Sequence, residues 1–500
     1  MGSTPESQRL LAAPHRPLTI SLIAAVSLVS YANLAVTAAL PAIGDDLGDV
    51  ALVPWVITSE LVAAAIAVLG IGPIVDSRGV RMVFRVALIG FVTASLLCAL
   101  APSMLILVGA RILQGIAAGG VIGSSVSSIG LAFPESLRPR AYAMVSAVWG
   151  VMGIGGPTIA AVLISAFGWR SVFTVAVPIG LTAAAIGWNQ LPGPRADGEA
   201  TDFDRRGLAI VAVVTVALLM ATSDGSLWAL LWLTGAIAVG ALYLRHSRSI
   251  PNPVVRLDHL TGRRWRYLHI TSTLAVAGGT GASSYLPLYL RGARGASEEE
   301  AAFSVLFMVI GWSSAAYLAS KLQERMHAAY VVRGGSAVLI TATATAAVIA
   351  RFEFHPAWLL GAFFFVGSGI GSITTSGLTI LQARAAPAEM GRVSSSHQFV
   401  RSLGFAYGAA VGGAVLFAVV SVRIGDVEAI RELLGGEDVT LDVAAVAALQ
   451  DGYVWALAVT GLFSAITAAS AHKLVRNIGR FERSEQAAPV ATDEPRSAPS

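Results

Sequence analysis

The chain reads as an all-α polytopic membrane protein, and three observations carry that reading. Of its 500 residues 55% are hydrophobic and only 13% charged, about half the charged share of a soluble domain. The apolar residues come in continuous runs of about 20, enough to cross a ~30 Å hydrocarbon layer as a helix, and not in the short alternating segments of a barrel. The basic residues fall in the short breaks between those runs. A mean hydropathy of +0.70 agrees. The formal net charge of +4 is spread over these breaks instead of gathered on one face, which argues against nucleic-acid binding. Cys98 is the single cysteine, so an intramolecular disulfide and a cysteine-rich metal site are both excluded. Lys321 and Lys473 are the only lysines, a composition that suggests a GC-rich bacterial genome.

Taken in order, residues 1–17 form a polar N-terminal tail with Arg9 and Arg16. The run at 18–40 is too long for a signal-peptide core and further runs follow it, so it is a first span. Further runs fall near 53–75, 82–101, 103–133, 142–167, 171–189, 207–222, 226–244, 266–290, 300–320, 329–350, 356–381, 398–421 and 452–472. Together they predict roughly fourteen spans. The parse is a six-helix half at 18–189, a linker at 190–265 with two extra transmembrane helices, a second six-helix half at 266–473, and a tail at 474–500 expected to be disordered. The stretch 422–451 reads either as a short amphipathic helix or as an ordinary hydrophilic loop. Loops with Arg78 and Arg81, Arg138 and Arg140, Arg195, Arg205 and Arg206, Arg245 to Arg264, Lys321 and Arg325, and Arg384 and Arg392 alternate with base-poor loops such as the one with Asp45, Asp46 and Asp49. Arg170, Arg291, Arg294 and Arg351 are the exceptions. This asymmetry puts both termini in the cytoplasm.

A few polar residues interrupt the runs. Glu60 follows Pro54-Trp55 closely enough to lie roughly 8–10 Å inside the apolar slab. An unpaired carboxylate there is costly, so it must be paired or protonated, and a titrating membrane carboxylate is what proton coupling requires. If the helix starts deeper, Glu60 is merely interfacial. Arg111 and Asn33 fall at similar depth on the fourth and first spans and are the natural partners, although Arg111 also suits a structural hydrogen-bonding role. The fifth span carries Gly150, Gly153, Gly155, Gly156 and Pro157, where glycines permit close helix approach and proline favours a kink. Arg401 lies about one turn inside the thirteenth span, where it either faces inward or snorkels. His269 and His397 lie near helix ends and read as interfacial. Between the second and third spans, Gly72-Pro-Ile-Val-Asp76-Ser-Arg78-Gly79-Val-Arg81 is a charged turn that cannot lie in lipid.

That turn resembles the signature loop of the major facilitator superfamily. Arg111-Ile-Leu-Gln114-Gly115 resembles the family's fourth-helix motif, whose arginine and glutamine it places by the proton path. Gly153 to Pro157 resembles the fifth-helix motif of exporters. Ala39-Leu-Pro41, Gly168-Trp-Arg170, Phe203-Asp204 before Gly207, Leu286-Pro-Leu-Tyr289 and Phe399-x-Arg401-x-x-Gly404-x-x-x-Gly408 resemble the fourteen-helix drug:proton antiporter branch. The resemblance covers nearly the whole chain. It implies the major facilitator fold, two six-helix halves plus two central helices, with the binding site at mid-membrane between the halves. It also implies a latch in which Asp76 pairs with a helix terminus of the second half. The chain departs from the branch at Ala32, where an aspartate is usual, at Thr37, Ala160 and Ala161, and at Glu60, where a tyrosine is usual. The membrane carboxylate thus lies on the second span instead of the first.

The function expected is export of lipophilic or amphipathic small molecules in exchange for protons, with drug resistance as its consequence. Glu60, Arg111, Asn33 and Gln114 would handle the proton, Gly72, Asp76, Arg78, Gly79 and Arg81 would form the latch, and Gly150, Gly153, Gly156 and Pro157 the rocking element. Trp149, Phe173 and Tyr289 are candidate cargo contacts, and Arg401 the second-half candidate. The proton gradient replaces any cofactor; membrane lipids surround a monomer in the bacterial cytoplasmic membrane. Two rivals remain: a lipid or metabolite exporter with weak coupling, and a non-transporting membrane enzyme or sensor.

Overall fold

In a lipid environment the backbone has only itself to hydrogen-bond with, so long apolar runs become helices. The computed structural model describes residues 10–49, 52–193, 203–223, 228–425, Ile430, Leu433 and 441–487. The first half contains α1 (Arg16–Leu47), α2 (Val53–Arg78), α3 (Val80–Ala99), α4 (Met104–Ala132), α5 (Arg138–Phe167), α6 (Arg170–Thr174) and α7 (Ala176–Gly187). Then come α8 (Arg205–Ser223), α9 (Trp228–Ser249) and the short α10 (Leu257–Thr261). The second half contains α11 (Arg266–Ser283), α12 (Leu286–Arg294), α13 (Glu298–Leu322), α14 (Ala328–Arg351), α15 (Pro356–Arg384), α16 (Met390–Ile424) and α17 (Val443–Ala487). Among the described residues, twelve helices are long and apolar enough to cross a membrane. That number includes α9 and takes α6 with α7 as one; α8, of 19 residues, and α11, of 18, stand outside it.

Two runs expected as single helices are each divided, and proline is the reason. Pro178 and Pro287 each lack an N–H, and each ring crowds the carbonyl four residues earlier. Those carbonyls belong to Thr174 and Ser283, where α6 and α11 end. By contrast Pro41, Pro73 and Pro157 sit inside unbroken helices. The tail at 474–500 departs from expectation, because α17 continues to Ala487. Its polar end is rich in Arg, Glu, Gln and Ala, which favour a helix without burial; residues 488–500 lie outside the described residues. The N-terminal tail falls mostly at 1–9, also outside them, as do Arg195 and the middle of the stretch read as an amphipathic helix or a hydrophilic loop at 422–451. The end of that stretch is already helix, since α17 starts at Val443.

Glycine sets the closest approaches. Gly115, Gly119 and Gly123 form one stripe of α4 laid on α2; a Cβ at Gly119 would stand 2.8 Å from Ala67 and 2.9 Å from the Val68 nitrogen. Asp204 anchors the linker. Its carboxylate accepts from the Gly207 N–H at 2.7 Å at the start of α8, from the Val254 N–H at 3.1 Å after α9, and pairs with His246 at 2.8 Å in the last turn of α9. Burial tends to raise the Asp204 pKa, but these bonds outweigh it and hold the carboxyl below its usual range. From there α8 lies against α2, with Leu208 over Gly70, and a small cluster joins Leu69, Val211, Tyr243, Val254, Val255 and Phe399.

The α4 stripe yields a paired test. Gly119→Ala should lower the melting temperature of the purified protein, with an overpacking cost of about 1–3 kcal/mol. Gly109→Ala, on the same helix with nothing within 4 Å of its Cβ position, should leave it unchanged or slightly higher. Equal melting of both variants would mean that α2 and α4 are not in tight contact.

Candidate functional site

Two of the polar residues singled out on α2 and α4 meet inside the first half. Glu60 and Arg111 are each 1% exposed, with Glu60 Oε2 3.6 Å from Arg111 Nη2. That is an ion pair but not a hydrogen bond, and those two facing atoms have no other partner among the described residues. The rest of the guanidinium is well held: Nε donates to the Val56 carbonyl at 2.7 Å and Nη1 to Gln114 Oε1. Gln114 in turn donates to Ser95 Oγ at 2.8 Å, and Phe173 lies 6.0 Å from the guanidinium. Asn33 on α1 is within hydrogen-bond reach of the Glu60 carboxyl and also donates to the Val29 carbonyl at 3.0 Å. Glu60 is therefore buried within the first half, and it is not among the residues lining the central cavity.

The signature turn is divided in its contacts. Asp76 reaches across to the second half, where its two oxygens accept from the backbone N–H groups of Gly391 at 2.7 Å and Arg392 at 2.9 Å, in the first turn of α16. A carboxylate at a helix N-terminus is stabilised by the aligned peptide dipoles. Gly72 makes the contact sterically possible, since a Cβ there would stand 2.7 Å from the Gly391 carbonyl oxygen and 2.9 Å from Arg392 Cα. Gly79 takes φ 83° as it ends α2 and begins α3. Arg78 is exposed, and Arg81 donates to the Leu191 carbonyl at 2.6 Å, a tie within the first half. The loop after α13 makes a reciprocal contact: Glu324 pairs with Arg140 at the start of α5 at 2.7 Å. That guanidinium holds the Glu324 carboxyl below its usual range. Gln382 donates to the Val126 carbonyl at 2.8 Å and Ser313 to the Ser146 carbonyl at 2.9 Å. Among the described residues, the hydrogen bonds and ion pairs joining the halves all lie toward this arginine-rich end. At the opposite end the ties stay within a half, as in Arg170 with Asp46 and Arg423 with Asp451.

Between the halves is a cavity of about 320 Å³ lined from α1, α4, α5, α13, α15 and α16. Trp149 lines it as expected. Phe173 and Tyr289 do not: Phe173 packs by Arg111, and Tyr289 is fully buried against Tyr453 with ring centroids 4.4 Å apart. The aromatic wall comes instead from Trp312 and Phe405, stacked at 5.9 Å. Gly150 and Gly153 face α13 at Ser313 and Val309, while Gly156 packs on Leu34 of α1; Pro157 follows inside the helix. Arg401 faces the cavity beside Tyr142. His269 and His397 are not interfacial but buried, with their Nδ1 atoms 3.0 Å apart, where α11 and α16 cross closely at Gly404. Helix-end position hid this contact from a sequence reading, because it depends on the crossing of two distant helices.

Two helical halves with a cavity between them and their cross-ties gathered toward one end form the architecture of a multi-pass membrane protein that could carry a solute between the halves. The family model described as Major Facilitator Superfamily matches residues 20–409, and the chain belongs to that superfamily. It is similar to "Multidrug transporter protein MdtP" of Bacillus subtilis (strain 168), 26% identical over 416 residues covering 80% of this chain and 75% of that one. It is also similar to the "Methylenomycin A resistance protein" of Streptomyces coelicolor, 27% identical over 377 residues covering 72% and 77%. Among solved structures, that of the human organic anion transporter MFSD10 superposes with a TM-score of 0.59 at 14% identity, over 92% of this chain and 100% of that one; this likeness is one of fold. The protein is thus a transporter rather than an enzyme.

The Asp76 contact predicts a shift of conformation. Asp76→Asn removes a charge–dipole interaction of up to ~2 kcal/mol, so the sealed end should open more often. With Cys98→Ser as background, maleimide labelling of Val126→Cys should become about tenfold faster in the Asp76→Asn protein, in line with a loss of ~1.4 kcal/mol. Unchanged labelling would mean that the carboxylate does not hold this end shut.

Proposed function

We propose that the protein is a secondary active exporter that exchanges protons for lipophilic or amphipathic small molecules by alternating access, as in the fourteen-helix drug:proton antiporter branch. The observation that carries this reading is the Glu60–Arg111 pair. It is a membrane carboxylate 1% exposed, with one oxygen free of hydrogen bonds and a cation 3.6 Å away. In the ionised state the pair is neutral overall. Protonation of Glu60 leaves the charge on Arg111, still solvated by Val56 and Gln114. A proton can therefore enter and leave without stranding an unsolvated charge. The names of the relatives, a multidrug transporter and an antibiotic-resistance protein, support export of small molecules.

In this reading α8 and α9 are the two additional central spans. The arginine-rich end faces the cytoplasm, both termini lie there, and the membrane is the bacterial cytoplasmic membrane. The form with the halves joined at that end is outward-facing. Release of Asp76 from α16 accompanies the turn inward. Coupling runs through α1, where Asn33 meets Glu60 and the next residue, Leu34, lines the cavity with Gly156 packed on it. The protein works as a monomer, draws its energy from the proton gradient and has no cofactor.

The test uses protein reconstituted in liposomes, with proton release followed on adding rhodamine 6G or 1-anilinonaphthalene-8-sulfonate. Release of protons by the wild type with at least one dye, and its loss in Glu60→Gln, is the expected result. Equal traces from the two proteins, or none from the wild type, would overturn Glu60 as the proton carrier.

A further inference from the structure

We propose that the central cavity selects amphipathic organic anions, with Arg401 receiving a carboxylate, sulfonate or phosphate head. This deepens the transport reading above and rests on it for the role of the cavity. The charge inventory comes first. The described lining contains Arg401 and no aspartate or glutamate. A lipophilic cation entering this space would meet a like charge and nothing to offset it.

Arg401 also differs from the other arginine within the bundle. Arg111 is held by a carboxylate, a carbonyl and an amide oxygen. Among the described residues, no ion pair or hydrogen bond engages the Arg401 guanidinium, and the Tyr142 hydroxyl and His397 are ionisable groups near it. Arginine buried in a membrane protein normally has a partner, because the cost of leaving it without one is high. A guanidinium presents five donors in a planar fork and no acceptor, a geometry that fits an oxyanion.

The polar groups around it are orphaned in the same way. Ser125 Oγ, Thr375 Oγ1 and Gln398 Oε1 are all buried, all belong to residues lining the cavity, and all lack a hydrogen-bond partner among the described residues. Buried polar groups are normally satisfied, so three together mark a place where something polar binds. Two are hydroxyls, which can each turn a hydrogen toward an oxyanion. The remaining wall suits an apolar body: Trp149, Met308 and Leu34, with the Trp312–Phe405 stack whose planes lie 3° apart. A charged head among donors and a flat apolar body against aromatics describes an aromatic or lipid-like acid. The volume of about 320 Å³ is at the small end for ligand sites.

The experiment compares biphenyl-4-carboxylate, biphenyl-4-carboxamide and biphenyl-4-methylammonium, equal in body and different in head charge, by calorimetric titration of the full-length protein in phosphatidylcholine nanodiscs. The carboxylate should bind at least about tenfold more tightly than the ammonium, ~1.4 kcal/mol. Arg401→Gln should remove that preference while leaving carboxamide affinity within about twofold, and Arg401→Lys should keep part of it. Equal affinity for carboxylate and ammonium, no carboxylate binding by the wild type, or equal weakening of all three ligands in Arg401→Gln would overturn the proposal. The wild-type comparison stands even if a variant does not purify. Repeating it in phosphatidylglycerol nanodiscs separates two sources of the same chemistry. Lost carboxylate binding there identifies an anionic lipid as the occupant, and undiminished binding a free amphiphile; either result supports an anion site. Because binding is read without a proton gradient, failure of proton release leaves this result standing and would sink only the antiport.

Discussion

The cost of a charge in an apolar slab governs where this protein can place its few ionisable groups. Inside hydrocarbon an ionised side chain persists only with a partner or with backbone dipoles aimed at it. Glu60 and Arg111 satisfy that demand with each other, and the remaining guanidinium nitrogens are spent on Val56 and Gln114. Asp76, in the charged turn outside the apolar layer, is held by the first-turn N–H groups of α16. The two solutions act at different scales. The first lies within one half. The second spans both halves, beside the Arg140–Glu324, Gln382–Val126 and Ser313–Ser146 ties.

Close packing makes both arrangements possible. The glycine stripe of α4 brings its backbone against α2 beside Glu60, which positions Arg111 and Gln114, less than one turn apart on a helix that could not otherwise approach. Gly72 does the same for α2 on α16, and without it Asp76 would stand too far from the N–H groups it accepts from. Reciprocity follows from the repeat: Asp76 ends α2 and reaches α16, while Glu324 follows α13 and reaches Arg140 on α5. One contact uses a helix dipole and the other a guanidinium, so the halves share a geometry without sharing a motif.

Much of this was legible in the sequence because it rests on local rules. Run length gave the helices, and charges between runs gave the loops. The depth of Glu60 and Arg111 in their helices brought them to one level. Asn33 was placed from a first helix ending at Leu40; α1 runs to Leu47, yet the contact exists, because Pro41 does not end the helix and the extra turns extend past the pocket. What could not be read was azimuth. Phe173 and Tyr289 were expected in the cavity and face their own half, whereas Trp312 and Phe405 face it. The His269–His397 contact and the Glu324 tie needed the crossing of helices far apart in sequence. Proline breaks at Thr174 and Ser283 were local in cause, but a hydropathy run does not register them.

The separation of Glu60 from the central cavity limits how a proton and a cargo can be coupled. In a site where both bind one carboxylate, they compete directly for the same oxygen. Here Glu60 is buried in the first half and absent from the cavity lining, whose charged side chain is Arg401, so the two would not meet at one carboxylate. On the proposed antiport, coupling would then be conformational, through two helices that touch both places: α1, with Asn33 at the carboxyl and Leu34 at the cavity wall, and α4, with Arg111 at the carboxyl and Ser125 at the wall. Gly156 packs on Leu34 while Gly150 and Gly153 of the same helix face α13. A small rotation of α1 on a change in Glu60 would therefore be felt at the interface of the halves through α5. On the proposed cycle, the proton sets the state of the first half, the cargo sets the charge balance of the cavity, and the shared helices make each depend on the other.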